Sequence, residues 1–131
     1  MASPTTINEQ EKTFRRLSKR SKIFKTIIQA LQEKKGENIV SVDLRKLPEA
    51  VADYFVLCEA DTAPQVRAIA DHVEESVLKT LKEKPYEKEG FSSLQWVILD
   101  YINIVVHVFR PEERQFYNLE EMWNDAVQEQ H

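Results

Sequence analysis

Side chains able to do nucleophilic or metal chemistry are few. The 131 residues hold one cysteine, Cys58, and three histidines. Cys58 with His107 would make a nucleophile and its base. Yet Cys58 sits in the apolar run Tyr54-Phe55-Val56-Leu57-Cys58, where a lone cysteine serves packing. His107 with Asp100 is too small a set for a metal, and no His, Asp or Cys spacing matches a zinc pattern. Carboxylate pairs occur at Glu74-Glu75, Glu112-Glu113 and Glu120-Glu121. Adjacent residues on a helix point apart, so each pair reads as a solvated face. Gly36 and Gly90 are the only glycines, which excludes the glycine-rich loops that cradle phosphates. The single cysteine excludes a disulfide framework and any CxxC pair. Catalytic residues, a metal and a cofactor are therefore not expected.

Binding is what remains, and charge is its first clue. The formal net charge is −4, but it is unevenly spread. Residues 1–35 carry nine Lys/Arg against three Glu, a net +6, and the rest of the chain carries −10. Arg15, Arg16, Lys19, Arg20 and Lys22 cluster in the basic segment. Such a run contacts phosphate backbones without sequence preference; its bland alternative is a solvated helix face. No apolar run approaches the ~18 residues of a membrane span. No apolar stretch of the kind found in secretory signals follows the start, so no membrane association and a cytoplasmic location are expected.

The elements that would position these residues follow from periodicity. Leu17, Ile23, Phe24, Ile27, Ile28 and Leu31 recur at helical steps. Gly36 stands where a left-handed glycine would end that helix. Asn38–Leu44 and Asp53–Glu59 read as strands. Thr62 and Gln65 form a capping box for a helix over Ala63–Lys84, stopped by Pro85. Residues 86–90 make a short edge strand. Trp96–Tyr101 and Asn103–Phe109 make a hairpin. Pro111 opens a short helix to about Gln115, and Leu119–Val127 suits a last one. The order α-β-β-α-β-β-β-α implies an α/β fold, a mixed β-sheet covered by helices on one face.

The hairpin sorts its side chains by alternation. A two-residue turn at Ile102-Asn103 pairs Tyr101 with Ile104, Leu99 with Val106 and Val97 with Val108, all on the core face. Ile at a turn position needing positive φ is unfavourable and argues for a longer turn. The opposite face holds Trp96, Ile98, Asp100, Val105, His107 and Phe109. Either a terminal helix covers this second face, or it is an exposed partner surface of the aromatic-plus-polar kind found at interface hot spots.

Several segments together resemble the ribosomal silencing factor family, also called RsfS or Iojap-like. They are Asp53-Tyr54-Phe55-Val56, Gln65 with Ala68-Ile69-Ala70-Asp71, Glu89-Gly90, Trp96, Leu99-Asp100-Tyr101, Val105-Val106-His107-Val108-Phe109, Arg114, Tyr117, Leu119-Glu120, Trp123 and Asp125-Ala126. Their order and spacing carry the resemblance. It implies a nucleotidyltransferase-like topology without catalytic residues. It implies residues 1–20 as a flexible basic extension, 21–127 as the family domain and 128–131 as a tail. It also implies docking on the large ribosomal subunit through its L-fourteen protein, which blocks joining of the small subunit and represses translation under nutrient limitation. The partner-binding residues would be Trp96, Ile98, Asp100, Tyr101, Val105, His107 and Phe109, with Tyr101 pointing mainly to the core. Arg15, Arg16, Lys19, Arg20 and Lys22 would rest on ribosomal RNA. The rival readings are a nucleotide-binding or nucleotidyltransferase-like enzyme and a homodimeric scaffold, with a weak homodimer also compatible with docking. The sequence departs from the family at Ala60-Asp61-Thr62 and at Ile102-Asn103, where glycines are usual.

Overall fold

The computed structural model describes residues 21–131. The basic extension, including Arg15, Arg16, Lys19 and Arg20, lies outside the described residues. Helix α1 (Lys22–Glu33) starts at Ser21, whose Oγ accepts the Phe24 N–H at 3.3 Å. Its apolar stripe buries Phe24, Ile27, Ile28 and Leu31. The helix ends in a Schellman turn: Gly36 N–H donates to the Leu31 carbonyl and Lys35 N–H to that of Gln32. The left-handed residue is Lys35, at φ 59°, rather than Gly36. Gly36 serves close approach instead, since a Cβ there would press on the Leu31 carbonyl and Cys58 Sγ at 3.2 and 3.3 Å.

Strands β1 (Glu37–Asp43) and β2 (Tyr54–Glu59) pair antiparallel. Helix α2 (Ala63–Leu81) is capped by Thr62, whose Oγ1 accepts the Gln65 N–H at 3.3 Å. It ends at a left-handed Lys82, short of the expected Lys84. Then come β3 (Glu87–Glu89), β4 (Trp96–Asp100) and β5 (Ile104–Phe109). Gly90 sits between β3 and β4 at φ 90°, where a Cβ would collide with the Trp96 carbonyl. Only glycine lets the chain turn so closely over the first residue of β4.

The six strands form one mixed sheet in the order β3-β4-β5-β2-β1-β6, with β2 and β5 parallel and every other pair antiparallel. The hairpin register is the expected one: Trp96 opposite Phe109, Ile98 opposite His107 and Leu99 opposite Val106. Val97, Leu99, Tyr101, Ile104, Val106 and Val108 all join the core under α1 and α2.

The C-terminal part departs from expectation. After α3 (Pro111–Tyr117), the last helix α4 is one turn, Leu119–Met122. The chain then forms β6 (Val127–Gln130), antiparallel to the outer side of β1, with Val42 opposite Gln128 and Val40 opposite Gln130. Residues 128–130, expected in a tail, are thus part of the sheet. The physical reason is backbone satisfaction: the outer edge of β1 needs N–H and C=O partners, and any extended segment supplies them. His131 continues the contact, its N–H donating to the Ile39 carbonyl and its Nε2 lying 2.8 Å from Ser41 Oγ.

Helices do not lie on one face alone. A second core of Val40, Val42, Leu44, Leu57, Phe109 and Leu119, flanked by Phe55, Trp96 and Trp123, fills the opposite face. There α3, α4 and the loop after β1 cover the middle of the sheet. They leave its β3–β4 side more open.

Candidate protein-docking face

The second face is half covered, so the seven candidate contact residues divide. Trp96, Ile98 and Asp100, alternating along β4, remain partly exposed. Val105, His107 and Phe109 are buried, and Tyr101 lies in the first core. The expectation of an open face is corrected at those three β5 positions. The cause is aromatic cover. Phe55 meets His107 edge-on at 4.7 Å between centroids, and Trp96 stacks on Phe109 at 5.0 Å. Trp123 reaches Phe55 from beyond α4.

Arg114 on α3 fastens this cover to the sheet. Its guanidinium donates from Nε and Nη2 to both oxygens of Glu120, at 3.0 and 3.2 Å. Nη1 donates to Glu59 Oε1 at 3.1 Å and to the Asn38 carbonyl at 2.7 Å. One buried side chain therefore joins α3, α4, β1 and β2. The resemblance flagged Arg114, but nothing in its local sequence distinguishes a buried clasp from a solvated helix residue.

Trp96 is held in place by its polar edge. Its indole Nε1–H donates to His107 Nδ1 at 3.0 Å. An indole nitrogen only donates, so Nδ1 is unprotonated and the imidazole proton sits on Nε2. Nε2 is buried and has no hydrogen-bond partner among the described residues. Tyr117, 46% exposed, leans on the other side of Trp96 at 4.7 Å. The accessible surface is thus the partly exposed Trp96 and Ile98 with the exposed Tyr117, and Asp100 beside them. Tyr117 was flagged only by resemblance; its helical period gives no sign that it reaches β4.

Burial pushes the His107 pKa down to about 3. The unfolded chain titrates near 6.5, so between these values the unfolded state binds the extra proton. Stability is therefore full above about pH 6.5 and falls as pH drops toward 3. From pH 7 to 5.5 the expected loss is roughly 1 kcal/mol. Urea unfolding at the two pH values measures it. His107→Asn, which carries no titrating group, is expected to abolish this loss; an unchanged slope in that variant would remove His107 as its source.

Other candidate chemistry finds no assembly here. Cys58 is in the core, and burial pushes its thiol up to about 12, which is the reverse of an activated nucleophile. His72 pairs with Glu33 at 2.9 Å across α1 and α2. Among the described residues, no group of three or more His, Cys, Asp or Glu could hold a metal. No helix among them is long and apolar enough to cross a membrane. Lys22 is exposed at the start of α1.

Comparison with known proteins places the chain. Residues 18–131 match the family model described as ribosomal silencing factor during starvation. The ribosomal silencing factor RsfS of Bacillus subtilis is 38% identical over 108 residues, covering 79% of this chain and 86% of that protein. The chloroplastic protein Iojap of Arabidopsis thaliana is 35% identical over 78 residues, 57% of this chain and 31% of that longer protein. A crystal structure from Chromobacterium violaceum superposes with a TM-score of 0.73 at 31% identity, covering 78% of this chain and 83% of the other. One from Bacillus halodurans gives 0.68 at 30% identity, covering 77% and 92%. The family model spans all of the described residues: this chain belongs to the ribosomal silencing factor family.

Proposed function

We propose that the chain docks on the large ribosomal subunit through its L-fourteen protein and blocks joining of the small subunit by occupying the surface where the two meet. The observation that supports it most is the partly exposed strip of Trp96 and Ile98, extended by Tyr117 and bordered by Asp100. An aromatic anchor beside a carboxylate suits a cationic ribosomal protein, and the −10 of residues 36–131 adds long-range attraction. Val105, His107 and Phe109 act in this reading by holding Trp96 rather than by touching the partner. Tyr101 supports the strip from the core side. The basic residues Arg15, Arg16, Lys19, Arg20 and Lys22 rest on ribosomal RNA, and the nucleotidyltransferase-like topology serves only as a binding frame.

Sedimentation tests the reading. The chain is expected to co-sediment with isolated large subunits and to lower the yield of joined ribosomes when small subunits are added. Its affinity should fall with rising salt. A chain that stays at the top of the gradient with large subunits present would sink the proposal. Light scattering provides the check on the homodimer: a tight dimer that persists in the presence of large subunits argues against docking.

A further inference from the structure

Helix α3 presents an aromatic side chain to solvent. Phe116 is 79% exposed, more than any other aromatic residue among those described. It belongs to neither core. Yet it does not stand alone. Its ring meets Tyr117 edge-on at 5.0 Å between centroids, and Tyr117 in turn lies 4.7 Å from Trp96. The three rings form one chain of contacts that runs from β4 onto α3.

The helix that carries Phe116 is fastened on both sides. At its start the Arg110 N–H donates to the carbonyl of Gln95, the residue before β4, at 2.8 Å. Pro111 fixes the first turn. The Arg114 clasp ties the inner side to β1, β2 and α4. Phe116 is therefore held beside the β4 strip before any partner arrives, which lowers the ordering cost of binding. Charge marks the same face. Glu112 and Glu113 stand four and three residues before Phe116, on its side of the helix. Neither joins an ion pair among the described residues. Arg114, the one cation of α3, is turned inward to Glu59 and Glu120. Both carboxylates also suit the first turn through the helix dipole. An exposed phenylalanine gives the fold no such return.

We propose that the docking surface continues from β4 across α3, with Phe116 as a second aromatic anchor and Glu112 and Glu113 as its acidic rim. This rests on the docking reading above and extends it to a second element. The occupant is the same cationic ribosomal protein. An apolar centre with a charged rim is the ordinary build of a protein interface, and the two unpaired carboxylates complement a basic partner. They disfavour the other occupants. A phosphate backbone would meet like charge at Glu112 and Glu113. A second copy paired symmetrically about Phe116 would bring both pairs of carboxylates together.

The exposure of Phe116 lets binding be separated from folding. Phe116→Ala in the full chain is expected to leave the urea midpoint unchanged and to weaken binding by about tenfold. The loss should appear both in co-sedimentation with isolated large subunits and in calorimetric titration of the isolated L-fourteen protein. The double variant Glu112→Gln with Glu113→Gln should weaken binding at low salt and flatten its salt dependence. If Phe116→Ala binds both targets as tightly as the unaltered chain, Phe116 is no contact and the proposal fails while docking stands. If affinity falls for large subunits but not for the isolated protein, the helix meets another part of the subunit and the named occupant is wrong. A fall that only follows a lower urea midpoint makes the residue structural, which also overturns the proposal. An unchanged salt dependence in the double variant removes the acidic rim. If the unaltered chain binds neither target, the docking reading itself fails and takes the anchor with it.

Discussion

Arg114→Met should lower the stability of the fold by about 3–5 kcal/mol, the range for breaking a buried ion pair by removing one partner. Methionine fills most of the volume, so a cavity is not the main cost. What is lost is the clasp: two bonds to Glu120, one to Glu59 and one to the Asn38 carbonyl. Glu59 and Glu120 are both largely covered and would be left without their shared cation. For a domain of this size the thermal midpoint falls by about 15 °C. Lysine at 114 should recover only part of this, because an ammonium cannot fork to Glu120 and still reach Asn38.

Arg114→Met can be followed layer by layer. Both tryptophans, Trp96 and Trp123, flank the second core. Their emission therefore reports the cover, whereas far-ultraviolet dichroism is dominated by α1 and α2. The expected result is a red-shifted emission in mild urea before the helical signal is lost. Unfolding at the unaltered midpoint, with both signals lost together, would show that the clasp contributes nothing.

The contrast between the two faces also explains what could be read from the sequence. The hairpin register was legible because alternation is strict: a slip of one residue would send Val97, Leu99, Val106 and Val108 to the wrong side. Helix α2 was legible from its stripe and from Thr62. The second face was not, because its cover depends on residues far apart in the chain. Leu119 and Trp123 share a helical spacing, which suggested one helix to Val127. The structure uses that spacing for a single turn and then extends the chain. Nothing in Val127-Gln128-Glu129-Gln130 marks a strand; its pairing is decided by the open edge of β1. His107 shows the same limit. Its place opposite Ile98 was readable, but its burial under Phe55 and Trp96 was not. At Ile102, φ 73°, the local rule was right about strain and wrong about the outcome, because the Asp100 carboxylate accepts the Ile102 N–H and the Asn103 carbonyl accepts the Asp53 and Tyr54 N–H groups, which holds the short turn.

Trp96→Ala is expected to cost docking about 2 kcal/mol or more, roughly a thirtyfold loss of affinity for large subunits. Two effects must be kept apart. In the free chain the indole stacks on Phe109, meets Tyr117 and donates to His107. Truncation uncovers Phe109 and leaves His107 Nδ1 without its donor, so some stability is lost as well. Trp96→Phe divides the contributions. It retains the stack and most of the apolar surface but removes the indole N–H. If Trp96 acts as an anchor through the accessible part of its ring, the phenylalanine variant should keep most of the affinity while unfolding at a lower urea midpoint. If it acts only by supporting the second core, affinity should track the folded fraction in both variants. Co-sedimentation at a temperature where each variant is fully folded decides between them. Undiminished binding of folded Trp96→Ala would move the docking face away from β4.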